Sequence, residues 1–248
     1  MARYGAAQGF DIGLTARRKD RLEALAKKLT EIHNVSADIF PADLATSDGA
    51  DRLLGALADT GRQVDLLVNN AGTSIPAGFA TSNLADQNAF LQLTITTPVT
   101  LSHALLPTML KKGWGRIINI SSITALSSGG KGHTLYPAGK SFLLKFSQSL
   151  NAEVAKKGVF VTAVLPGFVK TEFQEAIGMA DKMDGSTKRF AQTAEEVAIE
   201  AWKRNDRGVE IVVPGTLPKI GAACMRYFPE RLMRALTRPS AEKYYIGD

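Results

Sequence analysis

The chain has 248 residues, of which 45% are hydrophobic and 22% are charged, as expected for a single globular domain with a substantial core. Its one cysteine, Cys224, excludes an internal disulfide and suits a reducing cytoplasm, where we expect the protein to act. Three scattered histidines offer no metal-ligand spacing, and no apolar run has the length that a bilayer requires.

The net charge of +6 raises the question of an acidic partner. The basic residues are spread over several predicted helices and are not interleaved with aromatic residues, so nucleic-acid binding is the weaker interpretation. Solvated helix faces explain most of these charges. Arg17 and Arg18 are the exception, because they directly follow a predicted strand.

Strand and helix patterns alternate from one end of the chain to the other. Residues 2–9 have the pattern of the end of a helix closed by a glycine, and an apolar strand follows directly. Strands are predicted at 10–15, 37–40, 64–68, 116–120, 159–165 and 209–213, and helices over 22–32, 51–59, 86–112, 136–157 and 194–205. This alternation predicts a doubly wound, Rossmann-like α/β domain with a parallel sheet covered on both faces.

Ligands bind beyond the carboxyl ends of the strands in such a sheet, so the residues just after each strand are candidates for a site. They are Arg17-Arg18, Asp43-Leu44, Asn69 to Gly72, Ser121-Ser122, Pro166-Gly167 and Pro214-Gly215.

Tyr136 and Lys140 lie four residues apart at the start of a predicted helix and therefore on one face of it. An ammonium group beside a phenol favours the phenolate, so we expect the pKa of Tyr136 to lie below its usual value of ~10 and to suit proton transfer. The Tyr136–Lys140 pair alone is weak evidence for a catalytic site, because this spacing also occurs by chance in surface pairs. Ser122, just past a strand end, could bring a hydroxyl to the same substrate oxygen.

From residue 10 onward the chain resembles the short-chain dehydrogenase/reductase family. The motifs that carry the resemblance follow the family's order: TARR at 15–18, ADL at 42–44, NNAG at 69–72, NISS at 119–122, YPAGK at 136–140 and PGFVKT at 166–171. The resemblance implies an oxidoreductase that moves a hydride between a nicotinamide cofactor and a carbonyl or secondary alcohol.

The resemblance also implies a role for each matching residue. Tyr136 would be the general acid and base, Lys140 would tune it and hold the nicotinamide ribose, and Ser122 would bond the reacting oxygen. The implied cofactor wall consists of Asp43, Leu44, Asn69, Ala71, Gly72, Pro166, Gly167, Val169 and Thr171, with Asp43 at the adenine amine and Thr171 at the carboxamide. Asn69 could instead hold the loop backbone, and Gly72 could simply permit a tight turn.

The residues after the strand at 10–15 predict which form of the cofactor is used. An acidic residue there pairs with a ribose 2′-hydroxyl, whereas arginine accommodates a 2′-phosphate. Ala16 occupies the acidic position and two guanidinium groups follow, so we expect NADP rather than NAD. For Arg18, a solvent-facing helix start is the alternative.

The family's glycine-rich turn, Thr-Gly-x-x-x-Gly-x-Gly after a first strand, is missing from the sequence. We therefore expect the family's first strand and pyrophosphate cradle to be lacking, either because Met1 is an internal methionine or because the product is truncated. The first explanation is favoured, since the remaining motifs are intact. A catalytically silent dinucleotide-binding or scaffold protein is the alternative function.

Thr94 stands where the family has a catalytic asparagine that helps to hold a water near the lysine. Pro98, four residues later, has no N–H to donate and leaves the Thr94 carbonyl free. We predict that the proton relay survives through this carbonyl.

The last third of the chain contains segments that we expect to bind substrate or to contact another subunit. Residues 173–190 correspond to the family's substrate lid, in which Phe173, Ile177, Met179 and Met183 could line an apolar pocket; simple helix packing is equally consistent. Residues 216–248 form a C-terminal extension that we expect to close over the substrate end or to pack on another subunit, with contact to an anionic membrane surface as the weaker alternative. The family commonly pairs through its two long helices, which implies a homodimer or homotetramer.

Overall fold

The computed structural model describes residues 1–131, 134–176, 191–229 and 231–235. The strands are β1 (Ile12–Ala16), β2 (Ala37–Pro41), β3 (Leu66–Asn69), β4 (Gly115–Ile120), β5 (Val159–Val164), β6 (Val169–Lys170), β7 (Gln192–Thr193) and β8 (Ile211–Val212). The helices are α1 (Ala2–Ala7), α2 (Lys19–His33), α3 (Gly49–Asp59), α4 (Leu84–Leu91), α5 (Thr97–Lys112), α6 (Leu135–Val154), α7 (Phe173–Ala176), α8 (Ala194–Asn205) and α9 (Thr216–Tyr227).

The central strands are parallel and helices connect them, which confirms the doubly wound α/β fold. β1 pairs with β2, and a second group of strands has the order β3-β4-β5-β8. β4 and β5 form the centre of that group, and Ile117, Ile118, Val161 and Val164 are completely buried there. Their near-continuous apolar sequences are those of strands covered on both faces.

The sheet is divided between β1 and β3. In the part of the chain that the structure describes, no strand joins the two groups, and residues of both β1 and β3 line one cleft of about 2590 Å³. The expectation that a family strand is lacking here stays a prediction. The division means that helix packing, rather than strand pairing, connects β1 and β2 to the group β3-β4-β5-β8, while β6 and β7 pair with each other.

A cluster of aromatic rings makes part of that connection. The indole of Trp202, on α8, lies 5.6 Å from the ring of Tyr4 and 5.3 Å from the ring of Phe10, both in edge-on geometry. A Cβ at Gly5 would lie only 3.0 Å from the indole, so α1 packs on Trp202 at a position where glycine is needed. α8 itself begins with a capping box formed by Thr193 and Glu196.

The predicted helix over 86–112 consists of α4, a π-helical turn at Gln92–Thr96, and α5. Pro98 removes one backbone donor beside this turn, and π-helical turns often mark functional sites. By length and mean hydropathy, the continuous stretch Leu84–Lys112 is the only helix among the described residues that could cross a membrane. The prediction that no apolar run has this length was therefore wrong, although core helices meet the same criterion, and Leu101 and Met109 of this stretch are buried in the protein.

Candidate active site

Residues that follow the strands β1 to β5 line the same cleft as the first turns of α6. Among them are the predicted site residues Arg17, Arg18, Asp43, Leu44, Asn69, Ala71, Gly72, Ser122, Tyr136, Lys140, Pro166, Gly167, Val169 and Thr171. The structure thus gathers residues that are far apart in sequence around one cavity, as the rule for parallel sheets predicts.

Ser122 and Tyr136 form the centre of the site. Ser122 follows β4 and begins a 3₁₀ turn, where its Oγ accepts a hydrogen bond from the backbone N–H of Thr124 at 3.2 Å. Burial raises the pKa of the Tyr136 phenol, and a hydrogen bond with the Ser122 side chain lowers it by less. The expected lowering of the Tyr136 pKa was therefore wrong, because desolvation of the phenolate outweighs the favourable contacts.

Lys140 is buried beside the tyrosine. Its Nζ lies 5.7 Å from the centroid of the Tyr136 ring and donates a hydrogen bond to the carbonyl of Ile120 at 2.9 Å. Burial lowers the pKa of Lys140 to about 8. A Cβ at Gly72 would lie 3.6 Å from this Nζ, so Gly72 faces the lysine across the cleft.

A buried hydrogen-bond chain connects the end of β3, through β4, to α6. The Asn69 amide donates to Asn119 Oδ1 at 2.7 Å, and the Asn119 amide donates to Ser147 Oγ at 2.8 Å. Asn69 therefore fastens the end of β3 to β4, and whether it holds the following loop or contacts a cofactor stays a prediction. The sequence analysis assigned no role to Asn119. A polar side chain inside an apolar strand requires a partner, so the position of Asn119 could have indicated a buried hydrogen bond.

Thr94 lies in the π-helical turn, and its Oγ1 is buried without a hydrogen-bond partner. Its Cγ2 would be 3.0 Å from a Cβ at Gly139, and Phe90 Cε1 would be 3.1 Å away. Gly139 therefore lets this turn approach α6 closely, immediately before Lys140.

Two aromatic rings flank the phenol of Tyr136. The ring centroid of Phe90 lies 6.5 Å from that of Tyr136, and the ring centroid of Phe173 lies 6.4 Å away on α7. Phe173 thus packs beside Tyr136 at the cleft, and its membership of a substrate lid stays a prediction. The other predicted lid residues, Ile177, Met179 and Met183, lie outside the described residues.

The cleft is also lined by basic residues. Arg17, Arg18 and Arg21 line it, together with Glu172 from the strand-end segment after β6. Asp43 closes a turn by accepting from the Ala45 N–H at 3.0 Å, and the Leu44 carbonyl accepts a hydrogen bond from Thr97 at 2.8 Å.

The segment after β5 forms the wall at the catalytic end. The Pro166 carbonyl accepts from the Ile123 N–H at 3.0 Å, and a Cβ at Gly167 would lie 3.0 Å from the Pro218 ring of α9. Val169 begins β6, and Thr171 Oγ1 accepts from the Phe173 N–H at 3.3 Å.

The fold and this set of side chains are those of an oxidoreductase built on a dinucleotide-binding domain. The family model of the short chain dehydrogenases matches residues 1–182, and the chain belongs to that family. Nodulation protein G of Rhizobium sp. (strain N33) is 34% identical over 195 residues, which cover 78% of this chain and 75% of that protein.

Two further relatives carry named activities or cofactors. Serine 3-dehydrogenase of Agrobacterium fabrum is 36% identical over 174 residues, covering 69% of this chain and 67% of that protein. The structure of a short-chain dehydrogenase from Sphingobium yanoikuyae in complex with NADPH is 27% identical, has a TM-score of 0.78, and covers 92% of this chain and 91% of that one.

Proposed function

We propose that this chain is an NADP(H)-dependent oxidoreductase that interconverts a carbonyl compound and a secondary alcohol. The observation that carries the proposal is that Ser122, Tyr136 and Lys140 line one cleft, with the Lys140 ammonium 5.7 Å from the centroid of the tyrosine ring. These three groups supply a hydroxyl that can hold a substrate oxygen, a phenol that can exchange a proton with it, and a neighbouring cation.

The cleft fits a nicotinamide dinucleotide at both of its ends. Gly72 lacks the Cβ that would lie 3.6 Å from Lys140 Nζ, which keeps the space beside the lysine open for a ribose. Tyr136 and Lys140 would hold that ribose, and arginines at the opposite end would hold a phosphate. When bound, the cofactor supplies or accepts the hydride.

The remaining predicted contacts complete this arrangement. The nicotinamide end would be held by Pro166, Gly167, Val169 and Thr171, and the adenosine end by Asp43, Leu44, Asn69, Ala71 and Gly72. Asn69 would act by holding the end of β3 in position, since its amide donates to Asn119 of β4.

Proton transfer is assigned to Tyr136. Because burial raises the pKa of its phenol, Tyr136 is protonated at neutral pH and is ready to donate to a carbonyl oxygen while Ser122 holds that oxygen. Lys140, with a pKa of about 8, still carries its proton at neutral pH and favours the phenolate that forms. The site in this state is therefore set for carbonyl reduction.

Oxidation of NADPH with a panel of aliphatic and aromatic ketones tests the proposal. Tyr136→Phe should lower turnover by at least a hundredfold, the usual contribution of general acid catalysis, while NADPH binding persists. Tyr227→Phe is the matched control, because Tyr227 is 77% exposed on α9. Turnover that survives in Tyr136→Phe, or no NADPH-dependent turnover of any ketone, would contradict the proposed function.

The preference for NADP over NAD is supported by Arg17 and Arg18 at the cleft and by the NADPH-bound relative. Arg17→Ala should weaken NADPH binding about ten- to a hundredfold, since hydrogen bonds to charged groups contribute about 1.5–3 kcal/mol. NADH binding should be nearly unchanged, and equal losses for both cofactors would argue against a role in reading the phosphate.

We further propose a homodimer or homotetramer that pairs through α5 and α6. Phe142 of α6 is partly exposed and stacks on Phe146 with ring centroids 5.9 Å apart, which provides an apolar surface for a second helix. A cytoplasmic location stays a prediction, and contact of the C-terminal extension with a membrane surface stays the weaker alternative.

A further inference from the structure

An ion-pair bridge at the mouth of the cleft connects two segments that are 151 residues apart in sequence. Glu172 Oε2 lies 2.5 Å from Nη1 of Arg21 and 3.8 Å from Nη2 of Arg18. Arg18 and Arg21 belong to the segment that follows β1, whereas Glu172 directly follows Thr171 at the catalytic end. All three side chains line the cleft.

The bridge leaves part of the local positive charge unneutralised. The hydrogen bond from Arg21 holds the pKa of the Glu172 carboxyl below its usual range, so this group is an anion at neutral pH. The single Glu172 carboxylate thus pairs with two guanidinium groups, those of Arg18 and Arg21. The side chains of Arg21 and Glu172 are 52% and 66% exposed, and exposed ion pairs contribute little, so a stronger anion can replace the carboxylate.

A phosphate is such an anion. It carries nearly two negative charges at neutral pH and offers three acceptor oxygens, and arginine binds it in bidentate geometry. A cofactor with a 2′-phosphate would have to compete with Glu172 for the same guanidinium groups. A cofactor with a 2′-hydroxyl would leave the bridge intact.

We infer that Glu172 is a specificity-determining residue that occupies the Arg18–Arg21 pair and thereby limits the preference for the phosphorylated cofactor. The inference rests on the proposed function, because it assumes that the cofactor binds in this cleft with its adenosine end at Arg18. It adds Arg21 to the residues that would bind the phosphate and makes Glu172 the competitor of the phosphate for these arginines.

Fluorescence titration of the full chain with NADPH and with NADH tests the inference. Glu172→Gln should tighten NADPH binding about two- to fivefold, the range expected from removal of an exposed ion pair, and should leave NADH binding unchanged. Glu175→Gln is the matched control: Glu175 lines the same cleft three residues further on and, among the described residues, forms no ion pair with the arginines.

The Arg21→Gln background separates competition from general electrostatics. In that background Glu172→Gln should change the affinity for NADPH less, since Arg21, the main partner of Glu172, is absent. Equal tightening of NADPH and NADH, or the same effect from Glu175→Gln, would overturn the inference. Weaker NADPH binding by Glu172→Gln would also overturn it, because Glu172 would then be orienting the arginines for the phosphate.

The two proposals fail in different ways. NADPH-dependent ketone reduction with no effect of Glu172→Gln would remove only the role of Glu172. No binding of either cofactor by wild type and variants would remove the proposed function, and the role of Glu172 with it.

Discussion

The hydroxyl of Ser121 donates a hydrogen bond to the backbone carbonyl of Lys140 at 2.7 Å. This buried contact fixes the start of α6 to the end of β4, next to Ser122 in the chain. The position of Lys140, the lysine proposed for catalysis, relative to Ser122 therefore depends on the hydroxyl of the neighbouring Ser121.

Ser121→Ala tests this dependence. Loss of one buried hydrogen bond should lower the free energy of unfolding by about 1 kcal/mol, and the looser α6 should lower kcat several-fold with little change in KM for NADPH. Thr108→Ala, which removes a local hydroxyl contact on the exposed side of α5, is the control for kcat. A loss of stability with an unchanged kcat would assign Ser121 a structural role alone.

The pKa of Lys140 makes the stability of the protein depend on pH at this residue. Burial lowers that pKa from 10.5 to about 8, so below pH 8 the folded chain bears the full cost of a buried charge. Above pH 8 the folded chain releases the proton while the unfolded chain keeps it until about pH 10.5. The cost therefore fades as the pH rises through this window.

Lys140→Met removes the charge. Relative to wild type, its free energy of unfolding should fall by about 3 kcal/mol between pH 7 and pH 10.5, measured by urea denaturation. Lys145→Met on the exposed side of the same helix should show a difference that is constant with pH. A constant difference for Lys140→Met as well would show that the buried ammonium is solvated in another way.

Substitution of Gly139 by alanine tests whether α6 approaches the π-helical turn closely. The added methyl of Gly139→Ala would lie 3.0 Å from Thr94 Cγ2 and 3.1 Å from Phe90 Cε1, so these groups must shift. We expect the free energy of unfolding to fall by about 1–3 kcal/mol, as in other overpacked cores, and kcat to fall because Lys140 is adjacent.

A second glycine provides the control. A Cβ at Gly55 in α3 would meet nothing within 4 Å, so Gly55→Ala should raise the stability by about 0.5–1 kcal/mol through helix propensity alone. Thermal unfolding of both variants gives the comparison. Equal stabilisation by the two substitutions would contradict the close packing at Gly139.

Much of the fold was predictable because apolar periodicity and helix caps are local. The predicted helix over 194–205 coincides with α8, where the Thr193–Glu196 capping box and an apolar stripe mark the same start. The gathering of Tyr136 and Ser122 was predictable too, since parallel strands bring their carboxyl ends to one edge.

Long-range pairing and solvation were not predictable. Nothing in the local sequence connects Glu172 to Arg21, because topology alone brings them together. The spacing of Tyr136 and Lys140 indicated that they are neighbours, but the direction of the Tyr136 pKa depends on how far the cleft walls exclude water. Burial raises the pKa of Tyr136 and the hydrogen bond with Ser122 lowers it, and burial has the larger effect.

Thr94 has a buried, unpartnered hydroxyl and, unlike the other predicted site residues, does not line the cleft. If the backbone carbonyl carries the proton relay, Thr94→Val should keep turnover within about twofold, because the isosteric valine leaves the backbone in place. The same change should raise the free energy of unfolding by about 1 kcal/mol, since an unsatisfied hydroxyl is replaced by a methyl group. A collapse of kcat in Thr94→Val would assign the relay to the hydroxyl instead.

The divided sheet predicts two regions of different local stability. β1 and β2 pair only with each other among the described strands, whereas β4 is paired on both sides. Amide hydrogen exchange should therefore be faster at Ile12–Ala16 than at Gly115–Ile120, because opening the smaller unit breaks fewer contacts.

Trp202 is the side chain whose removal should enlarge this difference. Trp202→Ala breaks the contacts to Tyr4 and Phe10 and should cost about 3–5 kcal/mol, and exchange in β1 and β2 should accelerate before that in β4. The other tryptophan is the control: Trp114 lies 4.6 Å from the Arg116 guanidinium at the start of β4. Trp114→Ala should accelerate exchange in β4 first, so identical exchange patterns in the two variants would show that the divided sheet unfolds as one unit.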